Sequence, residues 1–258
     1  MTKILEVCVD SLASARAAIK GGADRLELCS ALTIGGLSPY GELLRMIRAE
    51  SEIPIRCLMR PRGGDFLYTK EEILMMAEQM KTLRDLGARG FVIGCLTAEG
   101  DLDACAMEPL LKAAEGLGLT LHRCIDVSRD PCKTYLDAKA LGFDTVLTSG
   151  AAGGCVQGMD TIAKLLDLRD REKGPEVLIG SGVNAQVIAR FRQCFPQACA
   201  FHMSGKTDME SPMIFRREGV PMGLPGLDEW HIPQTEESKI RNARTALYGE
   251  STANMRHE

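Results

Sequence analysis

Glu6-Val7-Cys8 and Glu27-Leu28-Cys29 repeat one short pattern twenty-one residues apart, and each closes a run of strand length. Side chains alternate across a strand, so the carboxylate and the thiol two positions on share a face. If the two strands are sequential neighbours in a parallel sheet, both pairs enter one pocket. Adjacent strands lie about 4.8 Å apart, which lets Cys8 and Cys29 touch one small ion. Soft thiolates select Cu(I) or zinc over magnesium and calcium. Two sulfurs without an evident third or fourth ligand suit low-coordinate Cu(I) better than tetrahedral zinc. Met203 is a conceivable thioether partner. The same spacing also describes two small buried residues, because a free cysteine often packs as a hydrophobe.

Further polar residues fall at the ends of strand-like runs: Arg60, His122, Arg123, Asp126, Thr148, Ser149, His202 and Ser204. Charges gathered there must be paired or bound to something, since an unpaired desolvated charge is expensive. Glu6, Glu27 and Asp126 are balanced by Arg60 and Arg123. As an active site, the set offers Glu6 or Glu27 as general acid or base, His122 as proton carrier, and Arg60 and Arg123 as anion clamps. The alternative is a network of internal salt bridges with no chemistry. Gly180-Ser181-Gly182, read with Ser204, is a possible anion or phosphate site, because a glycine turn into a helix presents backbone N–H groups. A tight strand-to-helix turn reads the same way.

The elements that must position these residues recur regularly. Apolar runs of strand length occur eight times: 4–9, 25–29, 55–59, 90–94, 119–123, 145–148, 177–180 and 200–204. Each is followed by a helical stretch, usually with a start signal, such as Asp10, Ser38-Pro39, the Thr69–Glu72 capping box, Asp130-Pro131 or Asn184. Short glycine returns at Gly22, Gly87 and Gly142 lead back into strands. Strict alternation of strand and helix implies a parallel sheet, and eight units in this length predict a (β/α)8 TIM barrel. Long connections follow the strands, above all 205–235, which places a functional face at the strand C-termini. A closing helix is expected at about 236–248, within one domain spanning residues 1–258.

At 258 residues, net charge −4 and isoelectric point near 5.7, nothing favours nucleic acid or an anionic membrane surface. No apolar run reaches the ~20 residues of a spanning helix, and the N-terminus lacks a signal-peptide pattern, so a cytoplasmic protein is expected. The ten cysteines form no CxxC pair, and most are expected to be free buried thiols.

Several longer motifs carry a family likeness: Glu6-Val7-Cys8-Val9-Asp10, Gly22–Cys29, Met59-Arg60-Pro61-Arg62-Gly63-Gly64-Asp65-Phe66, Leu147-Thr148-Ser149-Gly150 and Phe201-His202-Met203-Ser204. With these the chain resembles the CutC family, proteins named for copper homeostasis. The resemblance implies a TIM barrel, a cytosolic location, a homo-oligomer (dimer or tetramer) and a Cu(I) site at Cys8 and Cys29. The chain departs from the family pattern at Leu121-His122-Arg123-Cys124-Ile125-Asp126, where Cys124 and Ile125 replace alanine and phenylalanine. It departs again at Gly180-Ser181-Gly182, often three glycines in the family. Two functions follow from these residues: a copper-binding protein, or a barrel enzyme acting on a small anionic or phosphorylated substrate.

Overall fold

A computed structural model describes residues 2–249 apart from 218, 221, 224, 225 and 227. Eight parallel strands close a barrel in chain order. They are β1 (Ile4–Val9), β2 (Arg25–Leu28), β3 (Ile55–Leu58), β4 (Gly90–Ile93), β5 (Gly118–Leu121), β6 (Thr145–Thr148), β7 (Glu176–Ile179) and β8 (Ala200–Met203). Seven helices alternate with them: α1 (Leu12–Gly21), α2 (Gly41–Glu50), α3 (Lys70–Asp85), α4 (Ala104–Ala114), α5 (Pro131–Ala140), α6 (Met159–Glu172) and α7 (Ala185–Cys194). After β8 come an antiparallel ribbon, β9 (Lys206–Glu210) with β10 (His231–Thr235), and then α8 (Glu237–Tyr248).

Local chemistry explains most of the boundaries. The Ser11 hydroxyl accepts from the Ser14 N–H to cap α1, and Thr69 with Glu72 forms the reciprocal capping box of α3. Asp130 and Asn184 cap α5 and α7. Gly22 and Gly87 end helices with φ of 90° and 98°, a left-handed turn that a Cβ would resist.

Three expected boundaries differ. α2 begins at Gly41 rather than Pro39, because the Ser38 hydroxyl is held at the end of β3, accepting from the Arg60 N–H (3.0 Å) and donating to its carbonyl (3.2 Å). The fifth strand stops at Leu121. His122 then caps a 3-10 turn over Arg123–Val127, its ring Nδ1 accepting from the Cys124 N–H at 3.2 Å. The 205–235 connection is not a bare loop: the β9–β10 ribbon is tied to the barrel where the Thr235 N–H donates to the Ser14 hydroxyl at 3.1 Å.

The alternation along β1 and β2 divides two environments. Leu5, Val7, Val9, Leu26 and Leu28 pack outward against Ala15, Ala18, Leu44 and Ile47 of the helical layer. Full burial of each large side chain stabilises the fold by about 1.5–3 kcal/mol. Glu6, Cys8 and Glu27 face the barrel interior, where branched apolar residues are usual. Below them, the Arg56 guanidinium donates to Asp144 (2.7 and 2.9 Å) and Thr120 (2.6 Å). Gly118 makes room for it, since a Cβ there would lie 2.6 Å from Arg56 Nη2.

Candidate functional site at the barrel mouth

A cavity of about 990 Å³ opens at the C-terminal ends of the strands. Cys8, Glu27 and His202 line it together with Arg60, His122, Arg123, Asp126, Gly182 and Ser204, and Ile232 to Thr235 of β10 form one wall. The ribbon therefore borders the opening without filling it.

The barrel closure builds the centre of this site. β8 pairs with β1, setting His202 beside Glu6, and β2 pairs with β1, setting Arg25 beside Glu6 and Glu27 beside Cys8. Glu6 is fully buried and accepts from Arg25 Nε at 2.5 Å and from His202 Nδ1 at 2.8 Å. Burial alone would push its pKa up. The Arg25 charge and the His202 contacts outweigh that and hold it at about 2, a fixed anion. With Nδ1 committed to Glu6, His202 turns Nε2 towards Glu27 Oε2, 3.7 Å away. Burial pushes the Glu27 carboxyl up, His202 pulls it back and Glu6 raises it again, leaving it near 7. Burial lowers the His202 imidazole, but Cys8, Glu27 and Glu6 around it reverse this and raise its pKa well above 6.5.

The two thiols are not level. Cys8 is the register partner of Glu27, so Cys29 stands two residues further along β2, on a diagonal of about 8 Å between α-carbons. The Cys8 thiol opens on the cavity and donates to the Met203 carbonyl at 3.7 Å. Cys29 is fully buried, its thiol against the Val9 carbonyl at 3.6 Å and Glu27 Oε2 at 4.0 Å. Burial, with Glu27 and Cys8 adding, pushes that thiol well above its ordinary value. Both cysteines belong to one small apolar cluster with Leu58 and Val92. The residue that meets Cys8 through its backbone is Met203, whose carbonyl accepts from the thiol.

Arg60 does not neutralise the acidic side. Its guanidinium donates to the carbonyls of Ile34, Gly36 and Gly64 at 3.0–3.1 Å, which ties two long loops to the end of β3. His122 is buried against Phe66, with ring centroids 4.7 Å apart, and burial together with the Arg60 charge depresses its pKa to about 3. It is a neutral cap rather than a proton carrier near pH 7. This has a pH signature. The unfolded chain protonates His122 near 6.5 and the folded chain does not until about 3, so stability falls as pH drops through that window. Between pH 6.5 and 4.5 the loss is about 2.5 kcal/mol. His122→Asn keeps a capping oxygen and removes the titration. Urea unfolding at pH 7 and pH 4.5 should show a smaller acid penalty for the variant, and equal penalties would refute the assignment.

Arg123 and Asp126 pair with each other at 2.7 Å. The Asp126 side chain, only 5% exposed, also accepts from the Thr148 and Ser149 hydroxyls at 2.5 and 2.9 Å and from the N–H groups of Ser149 and Ala151. A carboxylate so fully engaged staples the turn after β5 to the end of β6. Gly180, Ser181 and Gly182 make the turn into α7, with Ser181 and Gly182 at φ of 70° and 79°. Gly180 packs closely, since a Cβ there would lie 2.7 Å from Leu147.

Sequence reasoning passed over Arg25 and gave His202 no role. Both become visible once closure is applied: the eighth strand must lie beside the first, and the residue opposite a buried Glu6 must carry positive charge.

Fold and site together define a TIM-barrel protein whose mouth holds thiol, carboxylate and imidazole groups around a fixed ion pair. The chain belongs to the CutC family, whose sequence profile matches residues 3–206. A CutC family protein of Chromobacterium violaceum is 39% identical over 249 residues, covering 96% of this chain and 99% of its own length. One from Porphyromonas gingivalis is 39% identical over 253 residues, covering 96% of this chain and 100% of its own. The crystal structure of a Streptococcus agalactiae CutC, provisionally assigned to copper homeostasis, superimposes with a TM-score of 0.73 at 28% identity, covering 79% of this chain and 99% of that one. Among the described residues, no helix is long and apolar enough to cross a membrane.

Proposed function

We propose that this protein handles copper, taking Cu(I) as cargo through the thiols of Cys8 and Cys29 at the mouth of the barrel. The observation that carries this reading is the clustering of the two thiols around Glu27, one opening on the cavity and the other just behind it. Their diagonal is short enough for both side chains to lean onto one ion. Soft sulfur donors favour Cu(I), and the role assigned to the Streptococcus agalactiae relative supports the same cargo. A reducing cytoplasm, which keeps such thiols unoxidised, is the compartment this function requires. Anaerobic Cu(I) titration against a chromophoric chelator tests it. Cys8→Ser/Cys29→Ser should weaken binding at least 100-fold, and parent-like affinity in the double variant would refute the site.

A second reading is favoured by the volume of the cavity, which lies in the range of small-molecule pockets and far exceeds one ion. It is an enzyme acting on a small anionic or phosphorylated substrate seated over Glu27 and His202. Gly182, Ser204 and Arg123 line the same space, while Arg60 is engaged elsewhere. Thermal-shift screening with inorganic phosphate and small sugar phosphates, with and without Cu(I), separates the two readings.

A further inference from the structure

Beside the thiol pair, the floor of the cavity carries a second donor set. One ligand atom each from Cys8, Glu27 and His202 lie within 4.8 Å of one another, a grouping that leaves Cys29 out. We propose that these three residues form a site for a borderline divalent cation of the Zn(II) type, with a fourth coordination position open to the cavity.

Three observations lead there. The donors are a thiol, a carboxylate and an imidazole, the set zinc uses, and three protein ligands with one open position is the arrangement of zinc sites that bind water or substrate. A carboxylate is a hard donor that suits a divalent cation better than Cu(I). Second, His202 is already prepared as a ligand. Its Nδ1 donates to Glu6 at 2.8 Å, Arg25 fixes Glu6 at 2.5 Å, and Nε2 is presented to Glu27. A carboxylate behind the outer nitrogen is the usual support of a metal-bound histidine. Third, Glu27 is a buried carboxylate that no guanidinium or ammonium group contacts among the described residues. Its nearest donors are His202 Nε2 at 3.7 Å and the Cys29 thiol at 4.0 Å. A dication bound there would sit between one thiolate and one carboxylate, which together balance its charge. Bonds of about 2.0–2.3 Å require the ligand atoms to close to roughly 3.3–3.8 Å, so the most widely separated of the three must draw together by at most about 1 Å from their present spacing within 4.8 Å. The site stands independently of the copper reading. The two sites share Cys8, so the two ions exclude one another.

The test uses Co(II) as a spectroscopic probe and Zn(II) in competition with a chromophoric chelator, on the full chain kept reduced. One equivalent of Co(II) should give a near-ultraviolet thiolate charge-transfer band with the visible bands of a four-coordinate ion. Cys8→Ser should abolish the thiolate band. Glu27→Gln and His202→Asn should each weaken Zn(II) by more than about 100-fold, beyond the 10–100-fold typical of losing an outer partner. Cys29→Ser should leave Zn(II) affinity within threefold while removing Cu(I) binding, which tells failure of one site from failure of the other. Melting curves establish that each variant is folded. Absence of stoichiometric binding in the parent, survival of the band in Cys8→Ser, or unchanged affinity in both Glu27→Gln and His202→Asn would overturn the proposal. The parent measurement decides even if a variant fails to fold.

Discussion

Replacing Arg25 with leucine is expected to destabilise the protein by about 3–5 kcal/mol, the cost of leaving a buried charge without its partner. For a chain of this size the melting temperature should drop by roughly 10 °C. Glu6 is fully buried and the Arg25 side chain 9% exposed, so water cannot take over from the guanidinium. His202 alone would remain on the carboxylate, and it already faces Glu27. The double substitution Arg25→Leu/Glu6→Leu should recover most of the loss, because replacing a buried pair with packed apolar residues is often neutral or better. Differential scanning calorimetry of the two variants checks this. A melting temperature for Arg25→Leu within 2 °C of the parent would mean that the pair does not anchor the interior.

Asp126→Asn is expected to cost about 2–4 kcal/mol while leaving Cu(I) affinity within threefold. Both carboxylate oxygens accept several donors: Arg123 and Ser149 on one, Thr148 and Ala151 on the other. Asparagine keeps one oxygen and turns an NH2 group towards donors on the other side. Each unsatisfied buried donor costs about 1–3 kcal/mol. The pattern of lost stability with retained metal binding separates a staple from a ligand or a reacting group. Denaturant unfolding paired with the chelator competition reads both quantities on one sample. Unchanged stability, or lost Cu(I) binding in a stable variant, would contradict the assignment.

The barrel was legible because its signals are local. Start signals at Thr69, Asp130 and Asn184 and glycine returns at Gly22 and Gly87 repeat with the βα unit, and short-range chemistry fixes them, although the first helix is capped by Ser11 rather than by the expected Asp10. The site was legible in its membership more than in its pairing. Cys8, Glu6 and Glu27 announce themselves through the repeated Glu-x-Cys pattern, yet the pattern by itself suggests that like residues stand side by side. The barrel's register shifts β2 by two residues against β1, so Cys8 meets Glu27 and Glu6 meets Arg25. Stagger of this kind is a property of closure rather than of any one strand. Arg60 shows the other limit: a guanidinium after a strand reads as a clamp, but the carbonyls that capture it belong to loops whose paths no local pattern encodes. The β9–β10 ribbon was hidden for a similar reason, its strands being separated by twenty residues and mostly exposed.

Copper K-edge X-ray absorption on protein carrying one equivalent of Cu(I), prepared without oxygen, tests the central claim most directly. The account predicts a low-coordinate Cu(I) edge with two sulfur neighbours, which disappear together in Cys8→Ser/Cys29→Ser. A first shell of nitrogen and oxygen alone, or sulfur neighbours that persist in the double variant, would contradict it.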